Sequence, residues 1–78
     1  MQKIKLYLYK KFLQPVLVNL LVENMFLMDE AQVHDDSYGY EIFLARIDVL
    51  KDIAREAGIV QEVTIAANAI YETKKEKK

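Results

Sequence analysis

The first third of this chain contains a segment that is apolar almost all the way round if it is helical. Residues 12–28 read FLQPVLVNLLVENMFLM, and from residue 15 onward only Asn19, Glu23 and Asn24 are polar. A helix that is apolar on every side has to be buried on every side or lie in lipid. A chain of 78 residues has little material to surround such a helix, because small domains bury only about 60% of their unfolded surface. We therefore expect part of this helix to contact a second copy, another protein or lipid.

The residues that usually reinforce a small core are scarce in this chain. It has no cysteine and one histidine, His34, so neither disulfides nor a structural zinc site is expected. Oligomerisation is the remaining means of reinforcement, and a hydrophobic content of 53% agrees with it. We predict a homo-oligomer, most simply a dimer formed through the first helix. The lack of cysteine is typical of a reducing compartment, and we expect a cytoplasmic protein.

Charge excludes some partners and leaves others open. With 11 basic and 12 acidic residues the net charge is −1, which gives no overall attraction to nucleic acid. Basic residues before an apolar run are typical of a signal peptide. However, Gln14, Pro15, Asn19 and Glu23 interrupt the run, so we expect neither a signal peptide nor a membrane-spanning helix. A basic amino end and an apolar helix resting on a membrane surface remain an alternative.

Hydrophobic periodicity predicts an all-α fold, a small bundle of three or possibly four helices. The predicted helices cover residues 15–28, 40–57 and 60–73, with a turn-rich loop at residues 29–39 between the first two. Residues 3–9 alternate as in a strand, but we favour a helix over residues 2–14 because everything downstream is helical. Residues 1–73 form one domain in this interpretation, and residues 74–78 form a charged, frayed tail.

Residues 50–59, LKDIAREAGI, resemble the first half of the helix-turn-helix of lactose-repressor-type regulators. The matching positions are Ile53, Ala54, Ala57, Gly58 and Ile59. In this motif the alanine lets two helices approach and the glycine makes the turn, and the resemblance implies a dimeric DNA-binding regulator. The following helix departs from the pattern, with Thr64 at a branched apolar position and no Lys or Arg before Lys74 to contact phosphates. We interpret the segment as a glycine-capped corner and keep DNA binding as an alternative.

Several residues are candidates for contact with another protein. Arg46 falls within the apolar arc of the second helix, between Ile42, Val49, Leu50 and Ile53. Its stem could pack there while its guanidinium stays in water. Alternatively, Arg46 pairs with a carboxylate on another helix or chain, for which Glu23 is a candidate. Tyr38 and Tyr40 could anchor a partner or close the core over the loop. The predicted contact residues are Leu17, Leu20, Leu21, Phe26, Tyr38, Tyr40 and Arg46.

No residue pattern predicts catalysis, a cofactor or a metal. The carboxylates around His34 lack the spacing of a calcium-binding loop, and a solvated acidic loop explains them. Ser37 is close to His34 in sequence, but closeness in sequence does not make a catalytic triad. We therefore predict a non-enzymatic protein-interaction module, a regulator or inhibitor that binds another protein and self-associates.

Overall fold

The computed structural model describes residues 7–76 and is all-α over that range. A π-helical turn at Tyr9–Leu13 leads into three helices: α1 at Gln14–Val33, α2 at Ser37–Glu56 and α3 at Val60–Glu76. The predicted small helical bundle is confirmed, and no strand occurs between residues 7 and 76. The helix predicted for residues 2–14 is confirmed for residues 7–14, and residues 2–6 lie outside the described residues.

The chain stays helical up to and past Pro15, at the start of α1. Proline lacks an N–H, and its ring clashes with the carbonyl of the residue four positions earlier, which here is Lys11. A π-helical turn bonds residues five apart and is wider than an α-helical turn. The turn at Tyr9–Leu13 covers Lys11, so it accommodates the proline without ending the helix.

The loop predicted for residues 29–39 is wrong in length, because the connection spans only residues 34–36. Asp35 has a φ of 58°, in the left-handed region. The N–H groups of Asp35 and Asp36 donate to the carbonyls of Gln32 (3.1 Å) and Ala31 (2.8 Å). This pair of bonds is the Schellman motif, which closes a helix in two residues. Residues 29–33, of which Asp29, Glu30 and Gln32 are polar, are thus the last part of α1.

The next helix begins where this motif ends. The Asp36 carboxylate accepts a hydrogen bond of 2.9 Å from the Gly39 N–H, which makes Asp36 the N-cap of α2. Because Asp36 takes part in closing α1 and also starts α2, no further linker is needed. The two helices are consequently antiparallel neighbours joined by a tight turn.

A second Schellman motif forms the corner between α2 and α3. Gly58 has a φ of 77°, and the N–H groups of Gly58 and Ile59 donate to the carbonyls of Arg55 (3.0 Å) and Ala54 (2.9 Å). The predicted glycine cap is therefore confirmed. Ala54 and Ile59 are fully buried, so the corner is also part of the core. Beyond it, α3 continues three residues past its predicted end, to Glu76.

The core lies where α1 packs against both other helices. Its buried residues are Leu17, Val18, Leu21, Val22, Ile47, Ala54, Ile59, Val63 and Ala67. The radius of gyration is 13.8 Å, whereas a compact domain of this length has about 11 Å. The extents of 48, 27 and 15 Å describe a thin body. Three helices in such a body cannot enclose α1 on every side.

One polar contact joins the second half of α1 to the end of α3. The Tyr71 hydroxyl donates a hydrogen bond to the Asp29 carboxylate. The Phe26 and Tyr71 rings pack with their centroids 5.0 Å apart. The bond to Asp29, together with partial burial, raises the pKa of the Tyr71 hydroxyl to about 12. This contact fixes α3 along α1 far from the corner.

Candidate functional site

An open groove of about 580 Å³ runs between α1 and α2. Its α1 wall consists of Leu20, Glu23, Asn24 and Leu27. Its α2 wall consists of Ile42, Ala45, Arg46, Val49 and Leu50. We call this feature the α1/α2 groove. Its volume is within the range of about 300–1,000 Å³ that is usual for binding clefts.

Apolar side chains on both walls of the groove are exposed to solvent. Leu20 is 39% exposed on α1, and Ile42 and Val49 are 36% and 57% exposed on α2. The apolar arc predicted for α2 is thus divided between two surfaces. One edge of the arc, represented by Ile47 and Ala54, lies in the core, while the other edge faces solvent. The second helix carries more apolar surface than one chain buries.

The apolar surface continues along α1 beyond the groove. Phe12, Val16 and Leu20 are each separated by four residues, so they lie on one face of the helix. All three are exposed. Exposed apolar residues scattered singly are normal, but a continuous patch is typical of an interaction surface. This face of α1 and the α1/α2 groove together form such a patch.

The groove carries one acidic and one basic side chain on opposite walls. Glu23 and Arg46 each lie near the middle of their wall, because the lining residues span positions 20–27 and 42–50. Both are exposed, and they form no ion pair with each other. The Arg46 guanidinium instead lies 5.4 Å from the centroid of the Phe43 ring. The pairing of Arg46 with Glu23 that the sequence suggested is therefore not made within the chain.

Asn24 is a buried polar residue on the α1 wall, 6% exposed. Its Nδ2 atom donates a hydrogen bond of 2.8 Å to the Leu20 carbonyl. Its Oδ1 atom is buried and accepts no hydrogen bond from the described part of the chain. Leaving such an acceptor unpaired costs about 1–3 kcal/mol.

Three of the predicted contact residues pack inside the chain. Leu17 and Leu21 are each 2% exposed and lie in the core, so a partner could reach them only by opening the bundle. Phe26 is half-buried and packs against Tyr71, away from the α1/α2 groove. These positions result from helix packing that a helical wheel cannot show for a helix apolar on all sides.

The other predicted contact residues lie at the surface or close to it. Leu20 and Arg46 meet in the α1/α2 groove. Tyr38 is 76% exposed in the first turn of α2, and Tyr40 is half-buried beside the loop. Val49 also lines the groove but was not among the predicted contact residues. Its place in the apolar arc of the second helix was the available signal.

The helical corner offers no set of cations for DNA. The first half of α3 presents Gln61 and Glu62, and the first basic residue on that helix is Lys74. DNA-binding helices need Lys or Arg for phosphate contacts. Across residues 7–76, no group of three His, Asp or Glu side chains lies close enough to hold a metal ion.

One stretch, Lys11–Val33, is long and apolar enough to cross a membrane by length and composition, with a mean hydropathy of 1.2. A core helix of a soluble protein and a signal sequence pass the same test. Within the chain, 28% of the apolar window is buried. The remaining residues of the window are half-buried or exposed.

Comparisons of the chain with protein-family models, with curated proteins and with solved structures found no match. The α1/α2 groove and the side chains that line it are consequently the basis for a functional proposal.

Proposed function

We propose that the chain is a non-catalytic protein-interaction module that binds an apolar helical surface in the α1/α2 groove and acts as a regulator or inhibitor. The observation that supports this function best is the exposure of Leu20, Ile42 and Val49 around one open groove between two antiparallel helices. Amphipathic helices bind in such grooves through apolar side chains spaced three, four and seven residues apart.

The free energy gained by burying the exposed apolar side chains of the groove shows whether the groove alone could hold a partner. Burying the exposed parts of Leu20, Ile42 and Val49 contributes roughly 2–4 kcal/mol. A complex with micromolar affinity needs about 8 kcal/mol. The remainder has to come from neighbouring surface, and the exposed Phe12 and Val16 continue the patch along α1. We therefore expect a partner to cover both the groove and this face of α1.

A photo-crosslinker placed in the groove tests the proposal. Benzoylphenylalanine replaces Val49 in the protein expressed in its natural host, and adducts are identified by mass spectrometry. Ile65 on α3 is the matched control position, because it is an apolar residue, 69% exposed, outside the groove. We expect polypeptide adducts from position 49 and few from position 65. Equal yields from both positions, or none from position 49, would contradict the proposal.

A second candidate function, association with a membrane surface, is favoured by the apolar stretch Lys11–Val33. Basic residues beside an apolar helix bind anionic lipid. Co-sedimentation with vesicles of phosphatidylserine and phosphatidylcholine, compared with pure phosphatidylcholine, tests it. Binding that requires the anionic lipid and falls after Val16→Glu would support the membrane function. Lipid adducts in the crosslinking experiment would point the same way.

A further inference from the structure

We propose that the occupant of the α1/α2 groove is a second copy of this chain, related by a two-fold axis parallel to the groove. In this arrangement, α1 of each copy packs over α2 of the other. The inference deepens the proposed function, on which it rests, by naming the partner and its orientation. Two features support it: the opposite charges on the two walls and the exposed apolar side chains along the groove.

The charges select the direction of the two-fold axis. Glu23 and Arg46 lie near the middle of opposite walls and are exposed without pairing to each other. An axis along the groove exchanges the two walls, so Glu23 of one copy meets Arg46 of the other, twice per dimer. An axis across the groove would instead place Glu23 against Glu23 and Arg46 against Arg46. Like charges in contact disfavour that second arrangement.

The direction of the helices allows either axis, because both axes give each helix only antiparallel neighbours, so the charges alone decide between them. The three-residue connection at positions 34–36 makes α1 and α2 antiparallel. With the axis along the groove, α1 of one copy also runs antiparallel to α2 of the second copy. Each of the four helices around the shared core then has only antiparallel neighbours. This is the arrangement of up-down four-helix bundles, whose cores form from such apolar faces.

The exposed apolar side chains lie along the whole length of the groove. A standard interface takes about 800 Å² from each partner, so a second copy would also have to cover surface beside the groove. Leu20 and Val49 place apolar side chains at one end of the groove, and Leu27 and Ile42 do so at the other. A second copy would cover them together.

Sedimentation equilibrium on charge variants tests the proposal. We expect the wild type to have twice the 9.1 kDa mass of the chain. Glu23→Arg and Arg46→Glu should each weaken dimerisation at least about tenfold, because each change places two repulsive pairs in the interface. The double variant restores both pairs with reversed signs and should return to near wild-type affinity. Arg55→Glu is the matched control, since Arg55 is on α2 outside the groove and makes the same change in charge.

Circular dichroism checks that the variants are folded. The other possible outcomes then show whether the second copy, the axis or the proposed function is wrong. A wild-type monomer at all concentrations overturns the proposal, as does an Arg55→Glu effect equal to that of Arg46→Glu. A double variant weaker than both single variants overturns the proposed axis. A monomer that still crosslinks another protein through position 49 keeps the proposed function and rejects the second copy. A monomer without such crosslinks rejects both.

Discussion

The hydrogen bond between Tyr71 and Asp29 makes the stability of the fold depend on pH in the alkaline range. The substitution Tyr71→Phe removes the hydroxyl but keeps the ring that packs on Phe26. The pKa of Tyr71 rises from 10.0 to about 12 in the folded chain. The folded state therefore holds the proton more tightly than the unfolded state. The bond contributes stability below pH 10, and this contribution is lost as the pH rises towards 12.

The size of the effect follows from the position of the bond. A hydrogen bond to a charged group contributes about 1.5–3 kcal/mol when well buried. Tyr71 is half-buried, so solvent screening reduces the contribution to about 1 kcal/mol. In a domain of this size, such a loss lowers Tm by about 4–8 °C. Tyr71→Phe should show this loss at pH 8 and approach wild-type stability near pH 12.

Urea denaturation followed by circular dichroism, at several pH values and one protein concentration, measures the difference between wild type and variant. The other tyrosines and the lysines titrate in both proteins, so their contribution cancels. Tyr38→Phe is the matched control, because that side chain is 76% exposed and its hydroxyl makes no hydrogen bond in the described residues. A constant difference between wild type and Tyr71→Phe from pH 8 to pH 12 would refute the linkage to ionisation.

Two further predictions concern the turns and the core. Gly58→Ala should destabilise the fold by about 1–2 kcal/mol, because in the left-handed conformation the alanine Cβ lies too close to the following carbonyl oxygen. Asp35→Gly at the equivalent position of the first turn should raise stability by up to about 0.5 kcal/mol. Chemical denaturation measures both substitutions, and a stability change of the same sign for Gly58→Ala and Asp35→Gly would contradict these predictions. Leu21→Ala should cost about 2–5 kcal/mol in stability. Leu20→Ala, one residue away but 39% exposed, should change monomer stability by less than about 1 kcal/mol while weakening dimerisation in sedimentation equilibrium.

The sequence predicted local structure correctly where a single backbone conformation suits the residues. Gly58 after an amphipathic helix predicted a left-handed cap, and the cap is present. The first turn was missed because Asp35, an aspartate, takes the position usually held by glycine. Its neighbours are polar, so the last turns of α1 resembled a loop. Polarity there reflects exposure of the helix end rather than a break in the helix.

The division of apolar residues between core and surface could not be predicted from the sequence. Leu17, Leu20 and Leu21 are indistinguishable in composition, and all three were predicted as contact residues. Only the packing of α1 against two helices buries Leu17 and Leu21 while leaving Leu20 in the groove. The same limit applies to Arg46, for which the sequence favoured a packed stem and left pairing with a carboxylate as the alternative.

The brevity of the two interhelical turns has a consequence for the kinetics of folding. Each turn spans three residues, at positions 34–36 and 57–59. Chains dominated by contacts close in sequence fold in microseconds to milliseconds. The α1/α2 groove belongs to one such local hairpin and does not require α3 for its walls. We therefore expect the hairpin to form early, while the core that supports it is complete only when Val63 and Ala67 of α3 dock.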